Sequence, residues 1–384
     1  MNIKNSTAKV VKTEGFRITV EEASQWSNLF KRHEGWTGAD GIYSIPLSGY
    51  EAQGKADKTQ TLFVFSDTFI GQIDQETTKR QNFCMINNSL ALLGGDIPDN
   101  DQIRFIWGKN GDGSRSSVFT PETAGTKGKK CWYWLQDGVF LNGNVYILPM
   151  VIESGPSGKE GFKFRLSDLA MIKIPVSSNV PDLQKHTQVD TPFLHINEVR
   201  TLYFGAGIMP NTVEADAPKP DGYVYIYGRY EAGEIKLAVA RVKPEDFEDF
   251  SKWRFWDGKI WSSEIADTVP LGRGGPELSV TPVQSGPLEG KYLMVSMHVE
   301  RDLYIRIGES PVGPFSPRIN IFRTSEPDTG QKIYTYNAKA HPNLSKPDEW
   351  LISYNVNSTD WQNHIDNGHI YRPRFLKVKF IQDN

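Results

Sequence analysis

Apolar and polar positions alternate in short runs along nearly the whole chain. Runs of β-branched and aromatic residues are broken by Gly, Pro, Asn and Asp, the pattern of an all-β protein. One stretch differs. Over residues 20–32, Ala23, Trp26, Leu29 and Phe30 fall at helical spacing behind Thr19 and the acidic pair Glu21-Glu22, which predicts one short helix. Five apolar runs share an outline, at 61–65, 144–150, 223–227, 291–297 and 350–354. Their starts lie roughly 60 to 85 residues apart, a little above the blade lengths of well-known propeller repeats. A second candidate strand precedes each run and carries polar residues at a turn: Asp40-Gly41, Asp137-Gly138, Pro210-Asn211, Pro276-Glu277 and Ala340-His341. This repetition predicts an all-β, five-bladed β-propeller with one short N-terminal helix. A single domain spans 1–384, with approximate blades at 36–107, 130–200, 201–262, 272–323 and 333–380. The first strand of every propeller blade lines the axis, so the five polar positions are expected to converge on one mouth of the channel.

Composition narrows the partners. The chain has 384 residues, with Lys+Arg 43 against Asp+Glu 46, so it lacks the basic field that nucleic-acid binding requires. No apolar run is long enough to span a membrane, and residues 1–17 carry polar residues throughout, with no apolar leader core. The expectation is a cytoplasmic protein, or a secreted one whose leader has been removed. Two cysteines, Cys84 and Cys131, are too few for a disulfide framework and read as buried thiols. Aromatic residues make up 12% of the chain, which suits sheet packing first and stacking on sugar rings second. The clusters Trp132-Tyr133-Trp134 and 253–261 read as blade packing.

The turn Ser310-Pro311-Val312-Gly313-Pro314-Phe315 resembles the SP-x-GP-W/F turn of five-bladed propeller glycoside hydrolases of the arabinanase and β-xylosidase type. Gly38-Ala39-Asp40-Gly41 with Phe65-Ser66-Asp67-Thr68-Phe69, and Asn87-Asn88-Ser89 beyond, looks more specifically like a group of bacterial propeller proteins, some of whose relatives have been linked to cleavage of arabinofuranose polymers. The resemblance implies a glycoside hydrolase acting on a furanoside or related oligo- or polysaccharide, with a carboxylate base from the first blade and a Glu acid from a later one. Asp40 matches the base by position. Glu277, in Gly274-Gly275-Pro276-Glu277-Leu278-Ser279, matches the acid, and its apolar, glycine-rich surroundings would raise its pKa for proton donation. The two carboxyl groups must stand roughly 5 to 9.5 Å apart, depending on the stereochemical course.

The third carboxylate departs from the pattern, because the third-blade turn offers Asn211 where an acid is usual. Asp137, Asp67 and Glu214 are the substitutes. Asn88, Asn211, Arg229, Arg273, His341 and Arg372 are candidate substrate-binding residues, with Arg80 a further cation. His341 resembles a blade-five residue that helps hold a metal or water at the channel centre in arabinanase-like relatives, where calcium would suit oxygen ligands. No cofactor is otherwise required. Each residue also has a structural reading: Asp-Gly pairs cap turns, a buried His can be a satisfied core imidazole, and Asp67 can close a strand by bonding to backbone. Two glycine-rich stretches, 111–114 and 154–158, lack the residues of a phosphate cradle and read as loops. The rival readings are a non-catalytic propeller that binds carbohydrate or protein, and a glycoside phosphorylase with arginines, lysines or His341 gathered round a phosphate.

Overall fold

The computed structural model describes residues 9–155, 163–330 and 332–383. Most of the loop at 154–158, and residues 1–8 of the polar N-terminal stretch, lie outside them. The chain is built from antiparallel sheets; a three-stranded one joins Glu34–Ala39, Thr68–Ile73 and Arg80–Ile86, a two-stranded one joins Gly108–Lys109 and Arg115–Ser116, and the others follow in chain order. The first runs Tyr43–Pro46, Gln60–Phe65, Ser89–Gly94, Ile103–Ile106 in spatial order. The next starts at Gly138–Leu141 and Asn144–Ile147 and continues through the long strand Phe164–Ser177. Thr201–Asn211, Tyr223–Ala232 and Glu234–Val242 open the third, and Leu278–Pro282, Tyr292–Ser296, Asp302–Gly308 and Ile319–Arg323 form the fourth. The last comprises Ile333–Ala340, Trp350–Ser358 and Pro373–Gln382.

This last sheet is completed by the other end of the chain. Phe16–Glu22 pairs antiparallel with Pro373–Gln382, in register from Phe16↔Gln382 to Glu22↔Leu376. Residues 20–22 therefore belong to a strand, and the helix expected over 20–32 is confined to Ser24–Leu29. Val20 alternates inward with Phe16 and Ile18, so sheet pairing overrides the helical spacing at that end. Trp26 and Leu29 keep the predicted inward face. A second short helix, Trp361–Asp366, had no periodic signal; its start is capped by the Asp360 carboxylate, which accepts from Gln362 N–H.

Hydrophobic clusters fill the spaces between consecutive sheets. Tyr43, Val64 and Leu90 meet Val145, Ile147 and Ile172 between the first two. Tyr146 and Met171 meet Phe204 and Ala240 next, then Tyr227 and Val239 meet Leu278 and Met294. Val295 and Leu303 meet Ile352 and Leu376. Finally Leu351 and Phe375 of the last sheet pack on Phe63 and Phe65 of the first, with Trp26, Leu29 and Phe30 wedged alongside, so the ring of sheets closes on itself. Phe30 makes edge contacts with Phe63, Phe65 and Trp36 and stacks on Phe375 at 5.4 Å. Of the tryptophan clusters, Tyr133 and Trp253 are fully buried as packing residues. Both cysteines are free thiols and only half-buried, less enclosed than their type suggests. Among the described residues, no helix is long and apolar enough to cross a membrane.

Candidate active site

Asp40, Asp137 and Glu277 each stand just before one of a series of strands, Tyr43–Pro46, Gly138–Leu141, Thr201–Asn211, Leu278–Pro282 and Ile333–Ala340, that pack each against the next around one centre. Asn211 and His341 do not join them. Asn211 is the last residue of its strand, and His341 follows the end of Ile333–Ala340, so both lie at the opposite ends of their strands. The expected series of five therefore divides in two.

Local backbone geometry explains the convergence. Gly38 has φ +155°, and a Cβ there would lie 2.1 Å from the carbonyl oxygen of Tyr371, so only glycine lets that segment pass. Tyr371 is thereby brought against the loop, where its phenol hydrogen-bonds Asp40. Asp40 Oδ1 also accepts from Tyr336 Oη at 2.5 Å and from Gly41 N–H at 2.6 Å. Asn357 donates to Tyr336 Oη at 3.0 Å, and Asn355 holds the Gly41 carbonyl at 3.0 Å.

Glu277 faces this loop. Its Oε1 is 3.8 Å from the position a Cβ on Gly41 would take, and its Oε2 pairs with the Lys339 ammonium. Tyr43, whose hydroxyl donates to the Ala206 carbonyl at 2.9 Å, presents its ring 4.1 Å from Lys339 Nζ. Burial raises the pKa of Glu277; Lys339 opposes this, Asp40 adds to it, and Arg229 opposes it again. Burial likewise raises Asp40, against the stabilising bonds of Tyr336 and Gly41. Asp137 accepts from Gly138 N–H at 2.8 Å and Ile208 N–H at 2.6 Å, yet burial lifts it to about 7. Asp67 accepts through one oxygen from Asn87 at 3.1 Å and Trp134 Nε1 at 2.9 Å; burial, with Asp40 nearby, lifts it also to about 7. Below these groups a cavity of about 30 Å³, about enough for one water, is lined by Asp137, Lys339, Ser44, Thr281 and Glu51. Burial next to Asp137 pushes the Glu51 carboxyl well above the carboxylate range.

The other sequence candidates fall elsewhere. Arg229 reaches the centre: it pairs with Glu231, lies 5.0 Å over the Tyr203 ring and acts electrostatically on Glu277. Arg273 is exposed on the surface, bridged through its backbone to Lys236. Glu214 is also exposed. Asn88 is a buried staple, donating to the carbonyls of Phe119 and Tyr133 and accepting from Phe119 N–H. Arg372 donates to the Ser27 carbonyl at 2.9 Å and fixes the N-terminal helix, and Arg80 holds the Gly368 carbonyl at 2.8 Å. Asn211 donates to the Lys219 carbonyl at 3.1 Å. His341 is fully buried between Ser44 and Ser353, whose hydroxyls each sit 2.8 Å from a ring nitrogen. Burial drives its pKa down to about 3, so the ring is neutral. Neither nitrogen is free for a metal. Among the described residues, no group of three or more His, Cys, Asp or Glu is placed to hold one. Sequence reasoning passed over Lys339, Tyr336, Tyr371 and Glu51; the one available signal was a lysine inside the apolar run that ends the last inner strand.

The fold and its centre define a β-protein whose ring of sheets encloses a cluster of desolvated carboxylates. The same fold is found in a putative hydrolase from Bacteroides ovatus, which is 19% identical, with 98% of this chain and 95% of that one covered at a TM-score of 0.69. Looser likenesses are a levansucrase from Bacillus megaterium (12% identity, 90% and 83% covered, TM-score 0.48) and a xylan β-1,4-xylosidase from Bacillus halodurans (10%, 92% and 53%, TM-score 0.46). The chain belongs to the family described as Domain of unknown function (DUF5005), whose model matches residues 23–380. No curated protein matches its sequence.

Proposed function

We propose that this protein is a five-bladed β-propeller glycoside hydrolase acting on a furanoside or related glycan. The observation that carries the reading is the meeting of Asp40 and Glu277, far apart in sequence, in a buried site where both hold protons more tightly than free carboxyls. Glycoside hydrolysis needs such a pair, one carboxyl to protonate the leaving oxygen and one carboxylate to activate water or attack carbon. Asp40 serves as base, with two phenols orienting it; Glu277 is the acid. Asp137 and Asp67 supply negative charge that keeps a proton in the centre. Five inter-sheet clusters closing a ring support the blade count.

A phosphorylase needs cations free to take a phosphate. Here Lys339 and Arg229 are each already bound to a carboxylate, and Arg80 and Arg372 are turned to backbone carbonyls, which favours water as acceptor. The test is a screen against synthetic arabinofuranosides, galactofuranosides, xylosides and fructans, with product anomers followed by NMR. Turnover independent of added phosphate is the expected result. Glycan binding without any turnover would transfer the site to a carbohydrate-binding role, and phosphate-dependent turnover would make it a phosphorylase.

A further inference from the structure

Lys339 is the one buried lysine among the described residues, 1% exposed. Its position depends on a bulge. In Ile333–Ala340 the register against Trp350–Ser358 shifts between Tyr336↔Asn355 and Lys339↔Ser353, and Asn337 takes up the extra residue at φ +58°. In a regular strand, residues three apart face opposite sides; the bulge turns both Tyr336 and Lys339 to the centre. One then bonds Asp40 and the other pairs with Glu277, so a single strand grips both carboxylates.

We infer that Lys339 is the internal counter-cation of the site, a positioning residue that holds Glu277 in place opposite Asp40 and sets the order in which the carboxylates give up their protons. The inference rests on the hydrolase reading for its catalytic meaning, but not for its electrostatics. Every element around the ammonium presents a charged or titratable group. Glu277 comes from the turn before Leu278–Pro282, Asp40 and Tyr43 from the first sheet, Asp137 from the second, and neutral His341 follows on its own strand. Glu51 shares the cavity beneath, and Arg229, held by Glu231, acts on Glu277 from the third sheet. Without the ammonium, Asp40, Asp137 and Glu277 repel one another with only Arg229, itself paired with Glu231, to offset the charge, and more of them must take up protons.

The experiment is a 13C NMR titration of side-chain carboxyls in wild type and Lys339→Met, with Glu277→Gln assigning the Glu277 signal. The expected result is a Glu277 midpoint at least one pH unit higher in Lys339→Met, about a tenfold change in proton affinity. An unchanged midpoint in folded protein overturns the inference. Should Lys339→Met not fold, the Lys339→Met/Glu277→Gln double variant decides: it folds if the unpaired carboxylate was the cause, and its failure to fold sinks the pairing role. Turnover adds a separate reading. If the enzyme is active, the acidic limb of kcat/KM moves to higher pH in Lys339→Met, because Asp40 must lose a proton it now holds more firmly. A shifted titration in a protein that hydrolyses nothing would leave Lys339 in place as counter-cation while removing the hydrolase reading.

Discussion

The centre of the ring and the buried polar staples around it use the same residue types under opposite conditions. Asn88, His341 and Arg80 are buried, but their polar atoms meet backbone groups or hydroxyls. Their cost of burial is offset by complete pairing, and they tie loops and sheets together. Asp40, Asp137 and Glu277 are also desolvated, yet they gather around Lys339, with Arg229 acting on Glu277 and Asp67 lying on the far side next to Asp40, and burial raises all four. Fully paired polar groups mark architecture; carboxylates that are hydrogen-bonded yet desolvated beside one another mark chemistry.

The sharpest way to break that contrast is to neutralise the centre. Asp40→Asn and Glu277→Gln should each lower kcat/KM by about 10²- to 10⁴-fold; the melting temperature of Asp40→Asn stays level or rises, whereas Glu277→Gln lowers it by leaving the buried Lys339 ammonium unpaired. A parallel loss of activity and stability in Asp40→Asn would make that carboxylate structural instead. Gly38→Ala acts on the frame: its Cβ would overlap the Tyr371 carbonyl at 2.1 Å, so a large drop in melting temperature is expected, with Asp40 losing its Tyr371 partner. Asn88→Ala strips three hydrogen bonds from buried backbone groups and should cost about 3 kcal/mol in denaturant unfolding, with turnover per folded molecule unchanged.

Asp67 probes the charge itself. Its carboxyl titrates at about 7 in the folded chain against 3.8 for the free side chain, so between those values the folded state keeps a proton that the unfolded chain has released. Its contribution to stability is complete below pH ~4 and is lost as pH rises through ~7. Asn keeps the oxygen that accepts from Asn87 and Trp134 but cannot ionise. The melting temperature of Asp67→Asn should therefore fall less than that of wild type between pH 4 and 8. Equal slopes for the two proteins would show that Asp67 is not desolvated. The smallest effect belongs to Arg273→Ala, an exposed side chain away from these contacts, with a change within about 0.5 kcal/mol. A loss of binding there would extend the site onto the surface.

Much of this was legible in the chain. The alternation of short apolar runs implied sheets, and the recurring Asp-Gly and Pro-Glu turns placed Asp40, Asp137 and Glu277 ahead of inner strands, where the structure has them. Asn211 and His341 looked equivalent only because a turn signal does not say at which end of its strand it stands. Tyr371 could not be linked to Asp40 from sequence, since their contact depends on two loops crossing at Gly38. Nor could Lys339 be distinguished from a solvated lysine, because its facing rests on a bulge with no strong residue signature.

By itself, then, the sequence determined the all-β character and the identity of the acidic turns, since each follows from local pattern and side-chain chemistry. Tertiary structure alone decided that Phe16–Glu22 closes the last sheet, that His341 is a neutral core imidazole, and that one lysine is buried among the carboxylates of Asp40, Asp137 and Glu277. Those outcomes depend on which distant segments share a space from which water is excluded, and desolvation belongs to that space, not to any stretch of chain.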